Sequence, residues 1–282
     1  MIELKKALNL AISQLEPSSS TARTDAEVIL AHVLEKSRTY LYSHPEVLLN
    51  ESQLHLFDKL VAQRVDGTPI AYIIGTREFW SLPLKVNEDT LIPRPETELL
   101  VELTLQLMSA ERNAQVLDLG TGSGAIALAL AKERPDWQLY ACDYSEGALQ
   151  MARENAKNLT ITNINFFKSN WFSDVNPSQK FHAIVSNPPY IAANDPHLAK
   201  GDLRFEPSGA LVSGTDGLSA LALIIEQSIA RLAPEGLLLL EHGFDQKLSV
   251  TSMLKDYGYE KVQCWQDLNG NNRVSGGYRI SS

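Results

Sequence analysis

The first part of the chain spaces its apolar residues with the period of an α-helix. Three segments carry a one-sided apolar stripe at that spacing: IELKKALNLAISQL from Ile2, Asp25–Lys36, and ESQLHLFDKLVAQRVDG from Glu51. Helices of this kind bury their apolar faces against one another. The pattern therefore predicts a small all-helical domain over residues 1–75.

The pattern changes after that domain. Short alternating runs around Ser81-Leu82-Pro83 predict a β-hairpin linker over residues 76–95, and Thr97–Met108 has helical spacing. From Gln115 onward, apolar strand-like runs alternate with helical segments, which is typical of a mostly parallel sheet with helices on both faces. The last two strands, joined by the Gly- and Asn-rich residues 269–272, should place an antiparallel strand in this sheet. We predict an α/β domain over residues 96–282 with seven strands.

Composition narrows the range of functions. The chain has 282 residues, 44% of them apolar, and a formal net charge of −9, which argues against tight non-specific binding to nucleic acid. Cys142 and Cys264 are far apart and the histidines are scattered, so no disulfide framework and no metal site are predicted. Without a signal-peptide pattern or a long apolar run, we expect a cytoplasmic protein that does not enter a membrane.

A glycine-rich loop, VLDLGTGSGAIALAL, lies between a predicted strand and a predicted helix. Gly120, Gly122 and Gly124 allow positive φ and close approach of a ligand to the backbone. Their GxGxG spacing differs from the GxGxxG of a pyrophosphate-binding loop, and Asp118 at the start of the loop would repel a phosphate. Asp143, at the end of the next strand, lies about 20 residues further on, where an acid typically binds two ribose hydroxyls. This favours a nucleoside pocket without a phosphate clamp, a description that S-adenosylmethionine fits.

Two features of this pocket have an alternative interpretation. The glycine loop could instead be a tight strand-to-helix turn with a solvated Asp143. Trp171, which follows the third predicted strand, could stack beside an adenine or could be a core or rim tryptophan.

The tetrapeptide Asn187-Pro188-Pro189-Tyr190 follows the apolar strand Phe181–Val185. Each proline fixes its φ and lacks an N–H, so the pair ends the sheet pairing and stiffens the backbone. Beside the glycine-loop strand, the Asn187 side-chain oxygen and the Pro188 carbonyl could accept both hydrogens of an incoming NH₂ group. Alignment of this kind can supply about 7–11 kcal/mol of the barrier. The alternative is a proline turn with a buried tyrosine.

In this order the motifs resemble the class I S-adenosylmethionine-dependent methyltransferases of the NPPY type, which have a Rossmann-like fold and methylate planar NH₂ groups. Three further stretches resemble the release-factor glutamine methyltransferase family: Arg77–Glu102, Arg204–Leu211 and Leu238–Gly243. The resemblance runs nearly end to end. It implies S-adenosyl-L-methionine as cofactor, S-adenosyl-L-homocysteine as product, and the glutamine of the Gly-Gly-Gln motif in class 1 peptide-chain release factors as substrate. The helical domain would dock that protein, or would be a stabilising cap.

The resemblance also implies roles for individual residues. The cofactor would be contacted by Gly120, Thr121, Gly122, Ser123, Gly124, Asp143, Trp171 and Asn187. The glutamine would be held by Asn187, Pro188, Pro189 and Tyr190, with Asn187, Pro188 and Tyr190 catalytic. Arg94, Pro95 and Glu98 would line the same cleft, or would form a proline-led helix start. Glu206 would close the pocket or cap a turn.

Three other functions compete with this interpretation. An NPPY-type enzyme could methylate adenine or guanine amino groups in nucleic acid, which would require a basic groove. A nicotinamide-dependent oxidoreductase is disfavoured by the GxGxG spacing, and it leaves the NPPY motif unexplained. A non-catalytic interaction module would have no use for a nucleoside pocket with an asparagine directed at it.

Overall fold

The computed structural model describes residues 1–280 and divides into two compact units. The first unit contains Met1–Thr76 together with His197–Phe205, and the second contains Arg77–Pro196 together with the chain from Glu206 onward. The linear pattern gave no sign that His197–Phe205 would group with the helices. The predicted domain boundaries at residues 75 and 95 stay predictions.

The first unit is mainly helical. Its elements are β1 (Ile2–Glu3), α1 (Leu4–Leu15), α2 (Ala22–Leu34), α3 (Arg38–Ser43), β2 (Leu48–Leu49), α4 (Glu51–Val65) and α5 (Ile70–Ile74). The helices α1, α2 and α4 bury their apolar stripes in one core that includes Leu4, Leu15, Ile29, Leu30, Phe57 and Val61. Full burial of each such side chain contributes about 1.5–3 kcal/mol. The three predicted helices are confirmed. The antiparallel pair of β1 and β2 was not predicted, because two residues are too few to show an alternating pattern.

An ion pair of Arg64 links the segment His197–Phe205 to the helices of this unit. Arg64, with only 13% of its side chain exposed, donates from Nε to Asp25 Oδ2 at 2.7 Å and from Nη1 to Asp202 Oδ1 at 3.1 Å. Asp25 belongs to α2, and Asp202 belongs to the 3₁₀ helix Gly201–Phe205. The pair with Asp25, whose side chain is 7% exposed, is worth more than a surface pair because water screens it less. The Asp202 side chain is 44% exposed, so water screens its pair with Arg64 more strongly.

The hairpin consists of β3 (Thr76–Phe79) and β4 (Leu82–Lys85). Its two turn residues, Trp80 and Ser81, have φ of 51° and 56°, the positive values that a type I′ turn requires. Such turns normally use glycine or asparagine, so this backbone is strained. Hydrogen bonds hold it in place: the Trp80 backbone N–H donates to Glu98 Oε1 at 2.8 Å, and its indole N–H donates to Glu133 Oε1 at 2.9 Å.

The second unit alternates helices and strands. In chain order they are α6 (Glu98–Leu107), β5 (Gln115–Leu119), α7 (Ala125–Glu133), β6 (Gln138–Asp143), α8 (Glu146–Asn158), β7 (Ile164–Lys168), β8 (Phe181–Ser186), α9 (Ser219–Ser228), β9 (Leu232–Glu241), α10 (Lys247–Asp256), β10 (Tyr259–Gln266) and β11 (Asn272–Arg279). The strands form one sheet in the order β7–β6–β5–β8–β9–β11–β10, in which β11 is antiparallel to both of its neighbours. The predicted seven-stranded, mostly parallel sheet is confirmed.

The order in which the chain adds strands to the sheet reverses between β5 and β8. These strands pair in parallel, with Leu119 opposite Ser186, while the chain continues from β5 toward β7 on one side and from β8 toward β9 on the other. Ligands of open α/β sheets bind where the strand order reverses, outside the carboxyl ends of the strands. The fold therefore brings the glycine loop and the NPPY tetrapeptide to one crevice, as the sequence predicted. In residues 1–280 no helix is long and apolar enough to cross a bilayer.

Candidate active site

A cavity of about 580 Å³ opens at the carboxyl ends of β5, β6 and β8. This volume is in the range of small-molecule sites. Three acids, Glu88, Asp89 and Asp143, contribute to its wall. Among the described residues that line the cavity there is no lysine or arginine. The wall suits a cationic or hydroxyl-bearing ligand and gives a phosphate no counter-charge.

The glycine loop faces the cavity with two of its five predicted residues. Gly120, Gly122 and Gly124 all have positive φ, at 72°, 57° and 87°, but only Gly120 and Gly122 line the cavity. A Cβ at Gly124 would lie 2.9 Å from Leu128 Cδ1 and 3.2 Å from Ala152 Cβ, so this glycine allows α8 to pack closely against the start of α7 instead. Thr121 and Ser123 are buried behind the loop.

Asp118 lies beneath the loop, not against the ligand. It is fully buried and does not line the cavity, and its Oδ2 accepts the Thr121 hydroxyl at 2.6 Å. Burial raises the pKa of Asp118 to about 7, against the lowering effect of the Thr121 hydrogen bond. The expectation that this carboxylate faces the ligand is wrong. Asp118 braces the loop through Thr121.

Asp143 lines the cavity and also holds the loop. Its Oδ2 accepts the Gly122 N–H at 2.9 Å, and its Oδ1 accepts the Ser145 N–H at 2.9 Å. Burial raises the pKa of Asp143. Each carboxylate oxygen can accept a second hydrogen bond, so both oxygens retain the capacity to bind a ligand hydroxyl.

Trp171 forms the adjacent wall. A Cβ at Gly120 would lie 3.6 Å from its ring, so the indole covers the start of the glycine loop. The same ring packs against a core cluster that includes Leu119 and Phe172. Trp171 is thus a rim residue that lines the cavity, and its stacking beside an adenine stays a prediction.

Asn187 lies at the end of β8 with its side chain fixed. Its Nδ2 donates to Thr97 Oγ1 at 3.1 Å, so Oδ1, on the opposite side of the amide, is the atom that can accept a hydrogen bond from a ligand. Asn187 and Pro189 line the cavity, whereas Pro188 is buried behind them. The tetrapeptide therefore presents an oriented amide at the cavity wall.

Tyr190 lies behind the wall and is held at both ends. Its hydroxyl donates to Glu241 Oε1 at 3.2 Å, and its carbonyl accepts Gln246 Nε2 at 3.0 Å. Burial, followed by the charge of Glu241, raises the pKa of Tyr190. Its ring packs against the core and is not among the residues that line the cavity. This placement stiffens the backbone that follows the two prolines.

Glu206 joins two motif stretches. Its side chain is fully buried, its Oε2 accepts the Ile92 N–H at 3.0 Å, and it forms an ion pair with Arg94. Leu91 and Pro207, next to these residues, line the cavity, whereas Arg94, Pro95 and Glu98 do not. Glu206 therefore neither enters the cavity nor caps a local turn: it fastens the two chain segments whose neighbours form the wall.

Comparison with known proteins identifies the family. Models of the PrmC N-terminal domain and of the methyltransferase small domain match residues 6–75 and 96–203. The release factor glutamine methyltransferases of Shewanella oneidensis and Escherichia coli strain K12 are 47% and 48% identical to this chain over 274 residues, which is 97% of this chain and 95% and 98% of theirs. The chain belongs to the release factor glutamine methyltransferase family.

A solved structure supports the fold of the second unit. The 16S rRNA N2 G1207 methyltransferase of Thermus thermophilus, solved with AdoMet and guanosine, aligns over 72% of this chain and 49% of its own, with a TM-score of 0.53 and 18% identity. At this sequence identity, the two proteins are similar in fold alone. The chain thus has the S-adenosylmethionine-dependent methyltransferase fold with the family's additional N-terminal domain.

Sequence reasoning missed several residues that hold this family member's site together. Thr97, Gln246 and Glu241 all fasten the NPPY tetrapeptide, and none of them was predicted to do so. Glu241 had a usable signal, because it ends a buried strand at the same edge of the sheet as Asp143. Among residues 1–280, no group of three or more His, Cys, Asp or Glu side chains could hold a metal ion.

Proposed function

We propose that this protein transfers a methyl group from S-adenosyl-L-methionine to the side-chain amide nitrogen of the Gly-Gly-Gln glutamine in class 1 peptide-chain release factors, leaving S-adenosyl-L-homocysteine. Family membership supports the choice of substrate. One observation carries the chemistry: Thr97 holds the Asn187 amide so that Oδ1 is the acceptor at the cavity wall. The protein would meet this substrate in the cytoplasm during translation termination.

The cavity fits the proposed cofactor. The backbone of Gly120 and Gly122 allows close approach, Asp143 has acceptor capacity for ribose hydroxyls, and Trp171 offers an aromatic face for adenine. The acidic wall suits a sulfonium, and no metal is required. When bound, S-adenosylmethionine supplies a methyl group on a positively charged sulfur.

The NPPY tetrapeptide would orient the incoming amide. Asn187 Oδ1 accepts one hydrogen of the glutamine NH₂. The Pro188 ring is buried, but its carbonyl is bonded to the nitrogen of Pro189, which lines the cavity, and this carbonyl accepts the other hydrogen. An amide nitrogen is a poor nucleophile because its lone pair is delocalised, so two acceptors that draw on its hydrogens stabilise the positive charge that develops during attack. The methylated nitrogen then releases one of these two hydrogens to water as a proton. Tyr190 supports the rigid corner, and the prolines fix the Pro188 carbonyl. Alignment then supplies much of the rate enhancement.

The substrate class separates this proposal from the nucleic-acid alternative. Methylation of adenine or guanine would need a cationic surface for phosphates. The net charge of −9 and the absence of lysine and arginine from the described cavity wall count against one. We propose that the helical unit binds the release factor.

A labelling experiment tests the proposal. The protein is incubated with methyl-labelled S-adenosylmethionine and a class 1 release factor, and in parallel with the same factor carrying a changed Gly-Gly-Gln glutamine, with bulk RNA and with bulk DNA. Label on the intact factor alone is the expected result. Label on RNA or DNA instead would move the substrate to a base amino group and overturn the proposal.

A further inference from the structure

Asn155 is a buried polar residue on α8 whose side chain is bonded entirely to backbone groups. Only 1% of its surface is exposed. Its Oδ1 accepts the Lys85 N–H at 2.7 Å, and its Nδ2 donates to the Lys85 carbonyl at 3.0 Å and to the Ser123 carbonyl at 3.0 Å. These bonds use both hydrogens and the oxygen of the amide. The side chain therefore fastens two separate backbone segments to α8.

Both segments continue into the cavity wall. Lys85 ends β4, and Glu88–Leu91, which follow it and are called the wall segment below, line the cavity. Ser123 belongs to the glycine loop, whose neighbouring residues line the cavity as well. The first turn of α8 contributes Ala148 to the same wall. From behind, the asparagine thus joins three segments whose front residues form the cofactor side of the cavity.

The same three segments are in close contact with one another. A Cβ at Gly124 of the glycine loop would lie 3.2 Å from Ala152 Cβ on α8, and a Cβ at Gly147 on α8 would lie 2.7 Å from Asp89 Cγ of the wall segment. The glycine loop and the wall segment therefore both pack directly against α8. Because close-packed elements transmit strain, a change at Asn155 should alter the spacing at the cavity.

We propose that Asn155 is a positioning residue for S-adenosylmethionine, which fixes the glycine loop, the wall segment and α8 at the spacing that this cofactor requires. Asp143 holds the glycine loop from the cavity side, and Asn155 links that loop to a segment from a distant part of the chain. Asn155 does not line the cavity, so it acts only through the backbone that it holds. The inference rests on the proposed function, because it concerns the cofactor of that reaction.

Two substitutions change this anchor in different ways. Asn155→Asp keeps an acceptor for the Lys85 N–H but places a carboxylate against the carbonyls of Lys85 and Ser123, whereas Asn155→Ala removes all three hydrogen bonds without adding a charge. Each should lower the affinity for S-adenosylmethionine and S-adenosylhomocysteine about 10- to 100-fold, the range found when residues that orient metal ligands are lost. At saturating cofactor, kcat and KM for the release factor should be nearly unchanged, because the NPPY tetrapeptide is intact.

Asn163 provides a matched control, because its amide also holds backbone groups together. Its Nδ2 donates to the carbonyls of Ala131, Arg134 and Trp137 at 3.1, 3.2 and 3.1 Å. It precedes β7 and so lies at the amino ends of the parallel strands, whereas the cavity opens at their carboxyl ends. Asn163→Asp and Asn163→Ala should therefore lower the free energy of unfolding, as the Asn155 variants do, and leave cofactor affinity unchanged.

The experiment measures cofactor affinity by calorimetry, the free energy of unfolding by urea denaturation, and kcat and KM with a class 1 release factor. A loss of affinity confined to the Asn155 variants is the expected result. Folded Asn155 variants with full affinity, or an equal loss of affinity in the Asn163 variants, would overturn this inference alone.

Other outcomes for the wild type separate the two proposals. A wild type that binds the cofactor but methylates no release factor would overturn the proposed function, and the affinities of the Asn155 variants would still decide this inference. A wild type that does not bind S-adenosylmethionine would overturn both. If Asn155→Asp does not fold, Asn155→Ala and Asn163→Ala provide the same comparison.

Discussion

The two halves of the cavity are built by different means. The cofactor half, formed by Gly120, Gly122 and Asp143, is held by hydrogen bonds between one carboxylate and backbone N–H groups of two consecutive strand-to-helix loops. The amide half, formed around Asn187, is held by side chains that come from distant parts of the chain: Thr97, Glu206, Glu241 and Gln246. A short motif can therefore specify the first half, whereas the second half requires the whole sheet to be assembled.

Each half also has a buried acid behind it. Asp118 braces the glycine loop through Thr121, and Glu241 contacts the NPPY tetrapeptide through Tyr190. Burial raises the pKa of both acids to about 7. If the comparison is right, damage to the cofactor half should weaken cofactor binding, and damage to the amide half should slow transfer.

The largest effect is expected at Asn187. In Asn187→Ala the substrate amide loses one of its two acceptors, so the single-turnover rate of methyl transfer should fall by about 10²- to 10³-fold. Calorimetry should show a much smaller change in cofactor affinity, because the cofactor half is intact. Asn165→Ala, at an exposed position on β7, serves as the control. An active Asn187→Ala enzyme would contradict the mechanism.

The second prediction concerns the stability of the protein, which should depend on Glu206 in the wall between the two halves. Glu206→Ala removes a fully buried carboxylate and leaves Arg94 and the Ile92 N–H without their acceptor. Urea denaturation should show a loss of about 3 kcal/mol in the free energy of unfolding. Glu146→Ala, which breaks the exposed pair with Arg153, should cost less than about 1 kcal/mol. Equal losses in the two variants would show that burial of Glu206 has no energetic consequence.

A smaller effect should appear in the cofactor half. Gly122→Val places a side chain at a φ of 57° beside the cavity, and the affinity for S-adenosylmethionine should fall at least about tenfold. Gly258→Val is the matched control, because Gly258 also has a positive φ and open space around its Cβ, but lies in the turn after α10. Both changes should cost about 1–2 kcal/mol of stability, and only the first should affect binding. Full affinity in Gly122→Val would remove the glycine loop from the cofactor site.

The last and most gradual effect is a change of stability with pH. The folded-state pKa of Asp118, about 7, lies above its unfolded value of about 4. As the pH rises from 4 to 7, the unfolded state therefore loses the proton of this carboxyl while the folded state keeps it. The stability associated with this group is complete below pH 4 and is lost as the pH rises to 7, by at most about 1.4 kcal/mol per pH unit. Asp118→Asn should reduce this slope in denaturation measurements, leaving the similar contribution of Glu241. An unchanged slope would place the pKa of Asp118 near its ordinary value.

The sequence predicted the parts of the molecule that are encoded locally. Alternation of strands and helices identified the sheet, and loop composition placed the glycine loop and the NPPY tetrapeptide at its switch point. The type I′ turn at Trp80-Ser81 was not recognisable as one, because its strain is offset by Glu98 and Glu133, which lie far along the chain. His197–Phe205 joins the helical unit partly through a contact between Arg64 and Asp202 that no local pattern encodes.

The sequence did not show which face of the sheet the Asp118 side chain enters. Its position near the end of a buried strand was predicted, but successive side chains of a strand enter opposite faces of the sheet. The apolar run around it does not determine which face holds the cavity, because a parallel strand is buried on both. Thr97 and Gln246 were missed for a related reason: each acts through a single hydrogen bond to a partner more than fifty residues away.

The most direct test is the site of the transferred methyl group. After a single turnover with a class 1 release factor, fragmentation mass spectrometry locates the methyl group in wild-type and Asn187→Ala reactions. We predict methylation at the side-chain nitrogen of the Gly-Gly-Gln glutamine by the wild type, and almost none by the variant. A methyl group on another residue, or equal methylation by the variant, would contradict the claim that the NPPY half of this cavity holds a glutamine amide.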